Sequence, residues 1–175
     1  MDYYFDEKSA DRAVQFIEKY ITHCKGELAG QPFILEDWQK EKIIEPLFGW
    51  KREDGTRKFR TCYIEIPRKN GKSTLCAGLA LYMLYADGEL GAEVISAAAD
   101  RQQAGIVFDI AKNQVLNNKE LSKRGKVFRN SITLEKKIVI TKLFPQMQIL
   151  NMDSIVVQLF LMNSMHNRTE NYLMS

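Results

Sequence analysis

The sequence predicts an α/β domain, a mostly parallel sheet flanked by helices, on three observations. RTCYIEI at residues 60–66 alternates as a strand should. It leads through a short basic stretch into Gly-Lys-Ser-Thr and an apolar run with helical spacing. A second apolar strand, AEVISAAA at 92–99, is followed by another helical run. Strand, loop, helix, strand, helix is the order that builds a parallel sheet, because each parallel pair needs a crossover long enough to hold a helix.

The elements follow in order. Residues 9–24 (SADRAVQFIEKYITHC) place Ala13, Phe16, Ile17, Tyr20 and Ile21 on one helical face, with Ser9 as the expected N-cap and Gly26 and Gly30 ending the helix. A second helix is expected over 37–48, stopped by Gly49, with Trp38, Ile43, Leu47, Phe48 and Trp50 as core. KREDGTRKF is a polar turn before the first strand. From Lys72 to about Ala86, the residues Leu75, Leu79, Tyr82, Met83 and Ala86 recur at helical spacing. GELGAE reads as a loop and 102–116 as a further helix. Residues 125–137 (GKVFRNSITLEKK) read as a hairpin turning at Arg129-Asn130.

Composition narrows the class. The chain has 175 residues, enough for one domain with a proper core, and its net charge of +3 is too small to argue nucleic-acid binding by itself. The basic residues are spread along the sequence rather than gathered in one run. Cys24, Cys62 and Cys76 are odd in number and widely spaced, which fits a reducing interior with neither a disulfide framework nor zinc. His23 and His166 have no partners at ligand spacing. No apolar stretch reaches about 18 residues and the polar N-terminus is unlike a signal peptide, so a cytoplasmic location away from membranes is expected.

IEIPRKNGKSTLC (64–76) carries the chemistry. A phosphate-binding loop is G-x-x-x-x-G-K-S/T between a strand and a helix. Gly71, Lys72 and Ser73 fill its last three positions, whereas Ile66 stands where the opening glycine belongs and Pro67 is placed to set the turn instead. Gly71 lets backbone N–H groups approach phosphates, Lys72 neutralises β/γ charge, and Ser73 can ligate Mg²⁺. This marks the fold as an incomplete sheet of the P-loop NTPase type. Arg68 has two readings, a cation that stabilises transition-state charge in cis or half of a solvated basic turn with Lys69. Gln39, some thirty residues upstream, either reads an adenine edge with its amide or is an exposed position on the second helix.

The motif order FILEDWQ, LFGW, IPRKNGKST and AAADRQQA resembles the ATPase domain of the large terminase subunit of tailed bacteriophages, over residues 5–137. That family has a deviant loop with an arginine where Arg68 stands and no opening glycine. The resemblance implies ATP held by Pro67, Arg68, Lys69, Asn70, Gly71, Lys72, Ser73 and Thr74, adenine contact near Gln39, and Mg²⁺ at Ser73. Arg68 and Lys72 would be its catalytic cations, and Arg101 either a second basic contact or surface. It also implies double-stranded DNA, a portal protein and a small terminase subunit as partners; assembly with none of them is the alternative for a partial motor.

Such a motor needs a Walker B strand, four apolar residues followed by Asp and Glu. Residues 138–175 lack it: Asp153 precedes its apolar run. Composition also breaks at Lys137, since 138–175 hold only Lys142, Asp153, Arg168 and Glu170 as charged residues, yet five of the seven methionines. A one-base loss in the adenine-rich codons of 136–138 explains both. In the shifted frame the single methionine codon forces Ala at Met147-Gln148, Gly at Met152-Asp153, Glu at Met162-Asn163 and Ala at Met165-His166. With permitted wobble bases, residues 157–166 then read AVVFDELHA. The expectation is therefore an N-terminal ATPase part over 1–137 and an out-of-frame tail over 138–175, with the family's nuclease domain absent. Such a chain would bind ATP without turning it over; an interaction module without nucleotide binding is the alternative.

Overall fold

The computed structural model describes residues 2–67, 70–88, 93–97, 101–134, 137–141 and 158–162. The chain opens with strand β1 (Tyr3–Phe5) and helix α1 (Glu7–Tyr20). Asp6, not Ser9, is the N-cap: its carboxylate accepts the Ser9 N–H at 3.2 Å and the Ser9 hydroxyl at 2.6 Å. Lys51 Nζ closes the group, 2.8 Å from Asp6 Oδ2 and 2.7 Å from Ser9 Oγ. A charged cap stabilised by a lysine outcompetes the serine, which drops into the first turn and is buried.

This cluster sets a pH dependence. The Lys51 hydrogen bond, aided by Ser9, holds the Asp6 carboxyl well below the usual carboxylate range. The folded state therefore binds the proton later than the unfolded chain. The resulting stability is fully present above the ordinary aspartate value near 4 and is lost as pH falls through the depressed one. Asp6→Ala should cost about 1–2 kcal/mol in urea unfolding at neutral pH. The difference from wild type should shrink below about pH 4, and a constant difference down to acid pH would contradict it.

The second helical stretch is continuous from Asp37 to Gly49 but not uniform: α2 (Asp37–Gln39) passes through a π-turn (Lys40–Ile44) into α3 (Glu45–Gly49). Ile43, Ile44, Leu47 and Phe48 face the core, whereas Trp38 is exposed and Trp50 only half-buried. Strand β2 (Trp50–Arg52) pairs antiparallel with β1.

Helix α4 (Lys72–Tyr85) matches the expected span to one residue. Every residue from Leu75 to Tyr85 is buried, so α4 is the hub on which α1, α3 and α5 pack. Tyr82 is clasped by Phe48, at 4.7 Å between ring centroids, and by Phe16, at 5.6 Å. Gly78 permits the close approach of α1, since a Cβ there would lie 3.3 Å from Ile21 and 3.5 Å from Ile17.

Beyond α4 come β3 (Glu93–Ala97), α5 (Arg101–Asn117), α6 (Lys119–Arg124), β4 (Lys126–Val127), β5 (Ser131–Leu134), β6 (Lys137–Thr141) and β7 (Gln158–Met162). They form a sheet in the order β4-β5-β6-β3-β7. The hairpin falls where expected, with Phe128 N–H donating to Ser131 O at 2.8 Å.

The α/β class holds, but among the described strands only β3 and β6 pair parallel. The connection between those two contains helices. β5 is joined to β4 and β6 by turns too short for anything but antiparallel pairing. The strand expected over 60–66 pairs with none of the described strands; Tyr63 is 69% exposed and only Ile64 touches the core. Among the described residues no helix is long and apolar enough to cross a membrane.

Candidate functional site

Gly71 is where the sequence pattern becomes geometry. Its φ of 72° and ψ of 7° lie in the left-handed region, and the next residue begins α4. Among the described residues no side chain caps this N-terminus, so the first-turn N–H groups and the positive end of the helix dipole can receive an anion. Ser73 and Thr74 sit half-buried in that first turn. The preceding turn folds on itself. Asn70 Nδ2 donates to Pro67 O at 3.3 Å, and Lys72 Nζ donates to Ile66 O at 3.3 Å. Lys72 is thus held at the mouth of the loop by a carbonyl, and among the described residues it pairs with no carboxylate. Arg68 and Lys69 lie outside the described residues, as do 89–92 of the GELGAE loop.

A wall that the sequence did not announce stands behind Gly71. Residues 21–33 form an arch closed by a Thr22–Pro32 bridge, by Phe33 N–H on Ile21 O at 2.8 Å and by His23 N–H on Gln31 O at 2.9 Å. Phe33, at one foot of the arch, lays its ring so close that a Cβ on Gly71 would meet it at 3.2 and 3.4 Å. The His23 ring meets Phe33 edge-on at 5.2 Å. The other foot is fastened by Gln114 of α5, which is buried. Gln114 Oε1 accepts the N–H and the hydroxyl of Thr22, both at 3.0 Å, and its Nε2 donates to Thr22 O at 2.7 Å and to Cys24 Sγ at 3.0 Å. The helix after β3 and the phosphate-type loop are therefore joined through one short arch. Gln114 could have been found in the sequence, because it falls on the same helical face as the buried Val107 and Ala111. Nothing in the sequence pairs Phe33 with Gly71.

Gly71→Ala should therefore strain the loop twice, through its φ and through Phe33. The left-handed backbone alone costs a non-glycine residue about 1–2 kcal/mol. Thermal unfolding should show that loss. Phe33→Ala alone should cost about 3–5 kcal/mol because the ring is buried, so the ring's share is read as the coupling in a double-mutant cycle; a coupling equal to the whole Gly71→Ala loss would mean that the backbone angle is unimportant.

Gln39 is buried rather than exposed, and its Oε1 accepts the Glu36 N–H at 3.0 Å. The backbone thus claims the acceptor of the amide and fixes the orientation of its nitrogen. Burial pushes the Cys76 thiol up to about 11, against a smaller pull from Lys72, and burial also raises Cys62. Among the described residues no group of three His, Cys, Asp or Glu side chains could hold a metal ion.

Residues 37–172 match the family described as terminase large subunit, ATPase domain. The match runs from the start of α2 across the loop and beyond the compositional break at Lys137. The large terminase subunit of Enterobacteria phage HK97 is 32% identical over 112 residues, which is 63% of this chain and 21% of that protein. The crystal structure of the HK97 bacteriophage large terminase superposes with a TM-score of 0.65 at 24% identity, covering 81% of this chain and 29% of that one. The chain thus spans about a fifth of the curated relative's length. With the deviant loop, the capless α4 and a family match over most of its length, this chain belongs to the terminase large subunit family, through the ATPase domain.

Proposed function

We propose that the chain is the nucleotide-binding part of a DNA-packaging motor, and that it binds ATP at Gly71–Thr74 without turning it over. The observation that carries the binding is the left-handed Gly71 opening a helix that no side chain caps, with Lys72 beside it. In this reading the first-turn N–H groups and Lys72 would hold the β- and γ-phosphates, and the Ser73 hydroxyl would be a ligand for Mg²⁺. Phe33 keeps the loop in shape from behind. Gln39, its oxygen already committed, presents its amide nitrogen to the adenine, and Arg68 stabilises phosphate charge. Mg²⁺ would supply charge neutralisation between the phosphates.

The lack of turnover rests on the sequence of 138–175, where no apolar run is followed by an acidic pair. We read these residues as out of frame, on the strength of the glutamate forced at Met162-Asn163. Portal protein, small terminase subunit and double-stranded DNA are the partners that family membership implies, in the cytoplasm of the bacterial host.

Three measurements test the reading. Titration of the purified chain with a fluorescent ATP analogue should saturate in the presence of Mg²⁺, and no binding would overturn it. Sequencing the gene across codons 136–138 and onward should find the adenine run one base short, with Asp-Glu in the adjacent frame. Robust Mg²⁺-dependent hydrolysis by this chain would overturn the absence of turnover.

A further inference from the structure

The arch over residues 21–33 lies along α4 and meets it at two glycines. Phe33 stands against Gly71, and Ile21 and Ile17 stand against Gly78. Gly71 and Gly78 are about two helical turns apart, so both contacts fall on one side of the helix. A side chain from α5 fastens the arch from outside.

The need for that side chain follows from the ladder within the arch. Phe33 N–H donates to Ile21 O and His23 N–H to Gln31 O, so Ile21–Phe33 and His23–Gln31 are hydrogen-bonded pairs of an antiparallel ladder. The Thr22–Pro32 pair between them is then a non-hydrogen-bonded one. Thr22 therefore turns its N–H and C=O away from the ladder, where each needs another partner. Gln114 supplies both from one planar amide. Its Oε1 accepts the Thr22 N–H at 3.0 Å, and its Nε2 donates to Thr22 O at 2.7 Å. The Thr22 hydroxyl and Cys24 Sγ take the second lone pair and the second N–H, both at 3.0 Å. The amide is fully used. Gln114 is also 3% exposed, so water has no access to replace a lost partner.

We infer that Gln114 is a positioning residue for the phosphate-type loop. It stands in for a neighbouring strand and fixes Thr22. The ladder carries that constraint one pair along to Phe33, and the Phe33 ring holds Gly71 from behind. The consequence, which rests on the nucleotide reading, is that Gln114 raises the affinity for ATP from a different helix. Binding free energies couple reciprocally, so ATP at the loop also steadies the arch and protects the Cys24 thiol that Gln114 engages.

Hydrogen exchange of the full chain, read by mass spectrometry, tests the positioning without nucleotide. Gln114→Met keeps a side chain of similar length and removes all four hydrogen bonds. Exchange should quicken in peptides covering 21–33 and also in those covering 70–75. Leu121→Ala is the destabilised control: this buried residue packs in α6, and Tyr85 at the far end of α4 donates to its carbonyl. It should leave 70–75 exchanging as in wild type. Thr22→Val loses only the hydroxyl bond and should repeat the Gln114→Met pattern in weaker form, which keeps the test open if the methionine variant does not fold.

Titration with ATP and Mg²⁺ reads the consequence. Gln114→Met should bind about two- to thirtyfold more weakly, the range over which substitutions remote from a site alter coupling. Gln114→Glu sets a second oxygen against Thr22 O and should lose affinity at neutral pH. Relative to wild type at the same pH, it should regain affinity as acid protonates the carboxyl and restores a donor. A loss of packing alone would give no such response. Saturating ATP should slow alkylation of Cys24 in wild type and not in Gln114→Met. Equal exchange at 70–75 in Gln114→Met and Leu121→Ala would overturn the inference, as would unchanged affinity in Gln114→Met. A wild type that binds no ATP overturns the nucleotide reading instead, and the exchange result then decides by itself whether Gln114 positions the loop.

Discussion

Replacing Lys72 by alanine is expected to weaken ATP binding by roughly ten- to a hundredfold, which is what removing a charged hydrogen-bond partner worth about 1.5–3 kcal/mol implies. Lys72 has little else to do. Among the described residues its side-chain hydrogen bond is the 3.3 Å one to Ile66 O, a long bond at the edge of a half-buried segment. Losing it should change folding stability by no more than about 1 kcal/mol. The signature is therefore a protein that melts almost like wild type and no longer captures the nucleotide. Lys72→Arg separates charge from shape: a planar guanidinium in place of a compact ammonium should recover only part of the affinity. Isothermal titration of the three proteins with ATP and Mg²⁺ reads the result directly. Unchanged affinity in Lys72→Ala would remove the lysine, and with it the loop, from the nucleotide reading.

Tyr82→Ala should have the largest effect on stability. Tyr82 is 2% exposed, in the last turn of α4, with Phe48 and Phe16 packed edge-on against its ring. Its phenol is pushed up to about 12, chiefly by burial. Truncating a buried aromatic leaves a cavity and costs about 3–5 kcal/mol. A domain of this size has a total stability of about 5–15 kcal/mol. The variant should unfold at a markedly lower urea concentration, with loss of helical circular dichroism near ambient temperature. Tyr82→Phe keeps the ring and should stay within about 1 kcal/mol of wild type. Equal losses in both variants would assign the effect to the hydroxyl and not to the packing.

These two residues mark the extent to which the sequence speaks for the fold. Spacing over 72–86 located α4 to within a residue, because a buried helix still needs apolar side chains at every turn. The hairpin at 125–134 was legible for a local reason, a polar turn between short alternating runs. The strand over 60–66 was not, since strand formation requires a neighbour and alternation does not reveal whether one exists. Ser9 looked like the cap because Lys51, which favours Asp6, is more than forty residues away. Of the loop, Gly71 and Lys72 were visible as a motif. Phe33 and Gln114 act through contacts 38 and 92 residues distant in sequence.

The all-round burial of α4 bears on how the chain is made. A helix without a wet side has to be covered in the order in which its neighbours leave the ribosome. α1 and α3 precede it and can close over part of its surface at once, Phe16 and Phe48 being ready before Tyr82 appears. α5 ends 32 residues after α4, which at bacterial elongation rates leaves the remaining face open for about 2–6 seconds. During that interval the nascent chain carries eleven consecutive residues destined for the interior, Leu75 to Tyr85, with one wall missing. Pausing of translation within the codons for α5 would prolong this state, and chaperone engagement would be concentrated there.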